Sequence, residues 1–279
     1  MPGVLGGFSV TEETIIIPAS SLLHHTPSSK KADVSVVVSL YNYQAYIVSI
    51  LECIYNQSCA PVELIVVDDA STDHGLAYVC DWLDDHAFRF SSVSVYRHHT
   101  NSGLASARNT GISHAISPWI WIQDADNPIA PRALEQCFKI SQRVHDRVAV
   151  VHPLIRLDPC PATLPPLQGN GITWQRDQFV YANCVDAMAL VRRAAWLEVG
   201  GYSHIDGGWE DYDFWCKLID HGWTGVQCPQ MLASYTHHAA SMTSTTSLPA
   251  SYRLETILQR RHPWLQCVGK TSACARDTV

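Results

Sequence analysis

Trp119-Ile120-Trp121-Ile122-Gln123-Asp124-Ala125-Asp126-Asn127 carries an apolar run into two carboxylates separated by one residue. Alternate residues of a strand project to one face. If strand geometry persists to the end of this stretch, Asp124 and Asp126 stand side by side, about 7 Å apart at their Cα atoms. Paired carboxylates at the carboxyl end of a strand suit a hard divalent cation that also holds a diphosphate. The plainer reading is an Asp-rich turn, Asp124-Ala125-Asp126-Asn127-Pro128, whose side chains bond only the local backbone. The surrounding chain has to separate the two.

Upstream, one pattern repeats. Val34 to Leu40 is a β-branched run that reads as a buried strand, and it ends in Tyr41-Asn42-Tyr43. Ile47, Ile50, Leu51, Ile54 and Tyr55 follow at helical spacing. Val62 to Val67 is a second buried strand. It ends in Asp68-Asp69-Ala70-Ser71-Thr72-Asp73, a polar loop leading to a helix cap. Leu76, Val79, Cys80 and Leu83 mark a helix, and Val93 to Tyr96 a strand. Asn101-Ser102-Gly103 then opens a helix carrying Ala105, Ala107, Arg108 and Asn109. Strand and helix alternate four times, which argues for a Rossmann-like α/β domain with a mostly parallel sheet and right-handed crossovers. In such sheets ligands bind at the carboxyl ends of the strands. Tyr41-Asn42, Asp68-Asp69 and Asp124-Asp126 all sit at such ends.

Downstream the pattern is less regular. A strand is expected within Arg147 to Leu157, then a long loop from Asp158 to Gly171, then a strand at Ala187 to Val191. Gly207-Gly208-Trp209-Glu210-Asp211-Tyr212-Asp213 enters a helix ending near Gly222. Met231 to His238 reads as a strand, Ser241 to Ser247 as a polar loop, and about Ala250 to Arg261 as a final helix. Residues 1–32 show no sustained period and read as a loosely ordered leader. The expected division is a first half over 33–127, a second half over 128–265, and a tail over 266–279.

The 279 residues suffice for one large α/β domain, and a hydrophobic content of 47% with 16% charged residues describes a globular chain. A net charge of −7 offers no general attraction for nucleic acid or anionic lipid. Ten cysteines are scattered without a C-x-x-C pair, so a structural zinc site is not expected. They read as reduced, small core residues of a cytoplasmic protein. No apolar run approaches the 20 or so residues that span a bilayer, which leaves at most peripheral association with a membrane.

The sheet contains neither G-x-G-x-x-G nor G-x-x-x-x-G-K-[ST]. Phosphate must then be held another way, and a divalent ion on Asp126 is the simplest; oxygen ligands favour Mg²⁺ or Mn²⁺.

Seven stretches, in order, resemble the family 2 glycosyltransferases, inverting enzymes of the GT-A fold. They are V-S-V-V-V-S-L-Y-N-Y (34–43), E-L-I-V-V-D-D-A-S-T-D (63–73), N-S-G-L-A-S-A-R-N-T-G (101–111) and W-I-Q-D-A-D-N (121–127). The second half adds V-R-R-A-A-W-L-E-V-G-G-Y (191–202), G-G-W-E-D-Y-D-F-W (207–215) and Y-T-H-H-A-A-S-M-T (235–243). The resemblance implies a nucleotide-sugar donor, most simply UDP-linked, in the first half. Ser39 and Tyr41 match positions that contact the base, and Asp69 the carboxylate that accepts from the uracil N–H. Arg108 matches an Arg near the base and phosphates. Asp124 and Asp126 match the family's D-x-D, the first toward the ribose, the second on the metal. Ala70 stands where Gly is usual and Asn127 where Asp is usual; neither removes an expected metal ligand.

Single displacement with inversion needs a carboxylate that takes the acceptor hydroxyl's proton. The resemblance assigns this to Asp211, with Glu210 orienting the acceptor or sharing the role. The plainer reading is that Glu210, Asp211 and Asp213 complement a helix N-terminus. His238 matches a position that faces the metal or diphosphate, or it is an ordinary hydrogen-bonded histidine near a strand end. Trp209, Tyr212 and Trp215 either stack on sugar rings or fill the core. The acceptor is expected to be a glycan, a lipid-linked molecule or another hydroxyl bearer, as in polysaccharide biosynthesis. Two other enzyme classes fit worse. A nucleotidyltransferase needs a Gly-rich, basic loop after its first strand, and a dehalogenase-type phosphatase needs its D-x-D early and followed by Gly-Thr. A sugar-nucleotide binder without catalysis is the alternative of a different class.

Overall fold

The computed structural model describes residues 14–27, 31–59, 61–158, 167–168, 174–236, 238 and 241–266. A nine-stranded mixed sheet runs through both halves of the chain. Its parallel centre is β2 (Val34–Leu40), β3 (Val62–Asp68), β4 (Ser92–His98) and β5 (Trp119–Asp124), connected by α1 (Ile47–Tyr55), α2 (Gly75–His86) and α3 (Leu104–His114). β2 and β3 are buried along their whole length, as near-continuous apolar runs in a two-sided sheet should be.

The edge beyond β4 corrects the expectation for the leader. Ser20–Thr26 is a strand, β1, antiparallel to β4, so residues 1–32 are not loosely ordered throughout. It left no period in the sequence because it is a bulged edge strand with Leu22 and Leu23 half-exposed. On the other side β5 pairs antiparallel with the short β8 (Leu190–Arg192), which in turn pairs with β6 (Val148–Asp158). β6 carries the two-residue β7 (Leu167–Gln168) and lies parallel to β9 (Thr224–Thr236). β9 starts well before Met231, because Gln227, Pro229 and Gln230 hide its period while two register shifts absorb them. β8 is shorter than expected, although Ala189 O still accepts from Ile122 N at 3.1 Å and prolongs the contact with β5.

Alternation in β2 splits the core in two. Val36 and Val38 pack with α1, α2 and α4 (Ala133–Ser141), whereas Val37 packs with α3 and with α6 (Arg193–Glu198), α7 (Glu210–Asp220) and α8 (Ser251–Arg261). A one-turn helix, α5 (Arg176–Phe179), seats Phe179 in the second core. α3 sits so close to β2 that a Cβ on Gly111 would lie 2.3 Å from Val37 Cγ1. The expected Ser/Thr loop is one wide helical turn, Thr243–Ser247, leading into α8. Most of the expected Asp158 to Gly171 loop, His237 and all but Gln266 of the 266–279 tail lie outside the described residues. Seven cysteines among the described residues are free thiols; Cys137, Cys216 and Cys228 are buried and the other four half-buried.

Candidate active site

β5 ends at Asp124, and Ala125-Asp126 is already a turn, so strand alternation does not align the two carboxylates. Gln123 shapes this turn. Its amide nitrogen donates to Asp124 O at 2.9 Å and Asn127 O at 2.6 Å, while its Oε1 accepts from buried Trp121 Nε1 at 3.0 Å. Asn127 donates to Asp124 Oδ2 at 3.2 Å and accepts from Thr236 N at 2.7 Å, tying the end of β5 to the end of β9. The plainer turn reading, with bonds to the local backbone alone, therefore does not hold: Asn127 and both aspartates reach beyond it.

Asp126 Oδ2 lies 2.9 Å from His238 Nε2. The His238 ring stacks on Tyr46 with centroids 5.1 Å apart and meets the edge of Tyr43 at 6.0 Å. Burial first, then the neighbouring Asp124 charge, pushes the Asp126 carboxyl up from its ordinary value, and the bond to His238 pulls it down. The Tyr43 hydroxyl is driven up by burial and by the same two carboxylates. No group of three or more His, Cys, Asp or Glu able to hold a metal occurs among the described residues. Asp126 and His238 nonetheless supply adjacent oxygen and nitrogen donors. These two residues would be the ones to hold a hard divalent ion such as Mn²⁺ or Mg²⁺, which would supply positive charge for a diphosphate.

Asp124 faces the other way. Arg108, buried on α3, donates through Nη2 to Asp124 Oδ1 and through Nη1 to Glu210 Oε1, each at 3.0 Å. Its Nε has no hydrogen-bond partner, and its Cζ lies 5.4 Å from the centre of the Tyr202 ring. The close approach of α3 to β2 at Gly111 brings Arg108 to this depth. One guanidinium thus joins the D-x-D to the start of α7.

That start is an unusual turn. Gly207, Gly208 and Trp209 all have positive φ, and a Cβ on Gly208 would lie 2.5 Å from Ser247 Oγ. α7 then opens at Glu210, with Asp211 and Asp213 in its first turn. The three acids of this first turn divide in role. Asp213 is structural: it binds Arg261 Nε at 2.5 Å and His262 Nε2 at 3.0 Å, and these partners hold it below its ordinary value. Glu210 binds Arg108, and Asp211 lies within reach of its charge. Burial pushes Glu210 up to about 7, with Arg108 opposing and Asp211 adding to the rise. Asp211 is raised by burial of its carboxyl, against Arg108 and two hydrogen bonds: Asn183 Nδ2 donates to Oδ2 and Tyr212 N to Oδ1, both at 2.8 Å.

Asp186 belongs to the same cluster and was not legible as a site residue. Burial and the Asp124 charge push it up to about 7, with Arg108 opposing. It lies in an irregular segment with no motif around it. Its sequence signal was only that an aspartate ends the stretch Asn183-Cys184-Val185-Asp186.

The base-contacting candidates are placed at the same sheet edge. Ser39 on β2 is in register with Asp124 on β5, and its buried hydroxyl has no partner. Tyr41, just beyond β2, is 43% exposed. Asp69 is buried and already engaged. Its carboxylate accepts from Ser102 N and Gly103 N at 2.8 Å and lies 2.6 Å from His98 Nδ1. Of about four acceptor positions on a carboxylate, three are used. His98 bridges Asp69 to Thr110, with its Nε2 2.9 Å from the Thr110 hydroxyl. A histidine closing a strand carries no sequence signal of such a contact.

The family model described as Glycosyl transferase family 2 matches residues 35–200. The chain belongs to that family. A glycosyltransferase of Haemophilus influenzae, otherwise uncharacterised, is 25% identical over 218 residues, 76% of this chain and 71% of its own length. Chondroitin synthase of Escherichia coli is 26% identical over 193 residues, 68% of this chain but 27% of its own length. In fold, the chain resembles Staphylococcus aureus TarS residues 1–349 in complex with UDP-GlcNAc. The TM-score is 0.66 at 18% identity, over 82% of this chain and 66% of that one. It also resembles the Pyrobaculum calidifontis mannosyltransferase PcManGT in complex with GDP-Man and Mn²⁺, with a TM-score of 0.62 at 20% identity, over 91% and 67% of the two chains. The fold is GT-A, and the chain is a family 2 glycosyltransferase. Among the described residues, no helix is long and apolar enough to cross a membrane.

Proposed function

We propose that this glycosyltransferase moves a hexosyl or N-acetylhexosaminyl group from a UDP-linked donor to a hydroxyl of a glycan or lipid-linked acceptor, with inversion. The observation that carries the reading is the Arg108 bridge, which sets Asp124 of the D-x-D and Glu210 on one cation beside Asp211. Similar folds hold UDP-GlcNAc and GDP-Man, which supports a nucleotide sugar as donor. Free thiols among the described residues accord with a reducing, cytoplasmic setting.

Asp126 and His238 would hold Mn²⁺ or Mg²⁺, which would supply positive charge to the diphosphate as it leaves. Asp124 keeps lone pairs beyond its bonds to Arg108 and Asn127, and these face the donor ribose. Ser39, Tyr41 and the last acceptor position of Asp69 take the base. Asp211 removes the proton from the acceptor hydroxyl. That oxygen forms the new bond to the anomeric carbon as the bond to the diphosphate breaks, and the diphosphate departs with the electron pair. A raised carboxyl suits the task, because a base works best when its affinity for the proton approaches that of its surroundings. Arg108 keeps Glu210 and Asp124 compensated, so the base is not surrounded by uncompensated negative charge.

The test is release of free nucleotide from a panel of UDP- and GDP-sugars with Mn²⁺. Release in the presence of an acceptor hydroxyl supports transfer. Binding of a donor without turnover would leave only a sugar-nucleotide binder, and binding of none would overturn the proposal.

A further inference from the structure

A cavity of about 330 Å³ opens beside Asp211, between the segment following α5, the start of α7 and the flank of α8. Its walls are held. Gln266 N donates to Val180 O at 2.8 Å, the Tyr212 hydroxyl donates to Phe179 O, and Gln259 Nε2 donates to Leu265 O at 3.4 Å. Tyr181, Trp209 and Tyr212 line it with aromatic surface, while Asn183, Glu255 and Gln259 supply polar groups. Asn183 is shared: it lines the cavity and donates to Asp211 Oδ2 at 2.8 Å. A molecule seated there therefore touches the residue that holds the base.

Resting on the transferase reading above, we propose that this cavity seats the uncharged terminal sugar of the acceptor. Aromatic walls match the apolar face of a pyranose ring, and amide and carboxylate groups match its hydroxyls. Charge decides between a sugar and a phosphate-bearing lipid. None of the described residues lining the cavity is basic, and Glu255 stands within it. Asp211 is reached through Asn183, and Arg108 is already committed to Glu210 and Asp124. A phosphate would meet the Glu255 carboxylate and no basic side chain among the described lining residues, whereas a neutral sugar meets hydrogen-bonding partners. The volume is at the lower end of small-molecule sites, which suits one terminal sugar.

Affinity of the intact protein for UDP, with Mn²⁺, is measured first and reports on the transferase reading alone. Saturation-transfer NMR on the UDP-loaded protein then follows methyl glycosides of glucose, galactose, mannose, N-acetylglucosamine and N-acetylgalactosamine. A polyprenyl phosphate in detergent micelles is the competing probe. At least one glycoside is expected to bind saturably. Tyr181→Ala, a change at a half-exposed side chain, is expected to weaken it at least fivefold, and Glu255→Gln to weaken it more modestly, with UDP affinity unchanged. The inference is overturned if UDP binds but no glycoside does, if both variants leave glycoside affinity unchanged, or if the polyprenyl phosphate alone binds with the same Tyr181 dependence.

Discussion

Arg108 and Glu210, 102 positions apart, meet at 3.0 Å with both side chains almost wholly out of solvent. The guanidinium also holds Asp124, so one residue on α3 couples the end of a central strand to the start of a helix in the other half of the chain. Removing one partner of a buried ion pair strands the others, and costs about 3–5 kcal/mol. Arg108→Ala is therefore expected to lower the melting temperature sharply and abolish transfer. Arg108→Lys, which keeps the charge but cannot fork to two carboxylates, should fold and lose about 10²-fold in kcat. Thermal melts and nucleotide-release kinetics on the two variants check this.

Asp126→Asn and Asp211→Asn should fail in different ways. The first removes a carboxylate next to His238, and is expected to weaken Mn²⁺-dependent donor binding at least tenfold. The second leaves donor affinity within about twofold and lowers kcat by 10²–10⁴, the range for loss of a positioned base. Calorimetric titration of UDP beside turnover separates them. Equal loss of donor binding in both would refute this division.

Glu210 carries a pH signature. Its folded value of about 7 lies above its ordinary 4.5, so between those limits the folded state binds more protons than the unfolded state. Stability from this group is complete below pH 4.5 and is lost as pH rises through about 7. Asp186, also raised to about 7, adds to the same fall. Glu210→Gln is expected to flatten the decline in melting temperature across that window. A slope equal to that of the unmodified protein would contradict the assignment.

Gly111→Ala tests the close approach that buries Arg108. Its Cβ would lie 2.3 Å from Val37 Cγ1, an overlap that costs about 1–3 kcal/mol in a packed core. The double variant with Val37→Ala should recover part of the loss in denaturant melts. Transfer should suffer with stability in the single variant, since Arg108 rides on the displaced helix.

The central strands were readable because a strand buried on both faces is a continuous apolar run, as in Val34–Leu40 and Val62–Asp68. Edge strands are not: β1 is half-exposed and bulged, and β9 threads polar residues and a proline through its register shifts. Among site residues, Asp124, Asp126, Glu210 and Asp211 stand at element ends, where the chain changes character abruptly. Asp186, Asn183 and His98 act through tertiary contacts that no spacing announces. Asp69 was placed on the right strand end, yet its engagement with Ser102 N, Gly103 N and His98 depends on how the next crossover turns.

The bond between Asp126 and His238 spans 112 positions, and that between Arg108 and Glu210 spans 102. During synthesis at about 5–20 residues per second, Arg108 and Asp126 emerge roughly 5–20 s before the partners that complete their contacts. Until then the Asp126 carboxylate and the second fork of Arg108 have no counterpart in the chain. The first half, made first, lacks both of these partners. The D-x-D is therefore made long before the groups that bind it, and both contacts close only once the chain has passed Glu210 and His238.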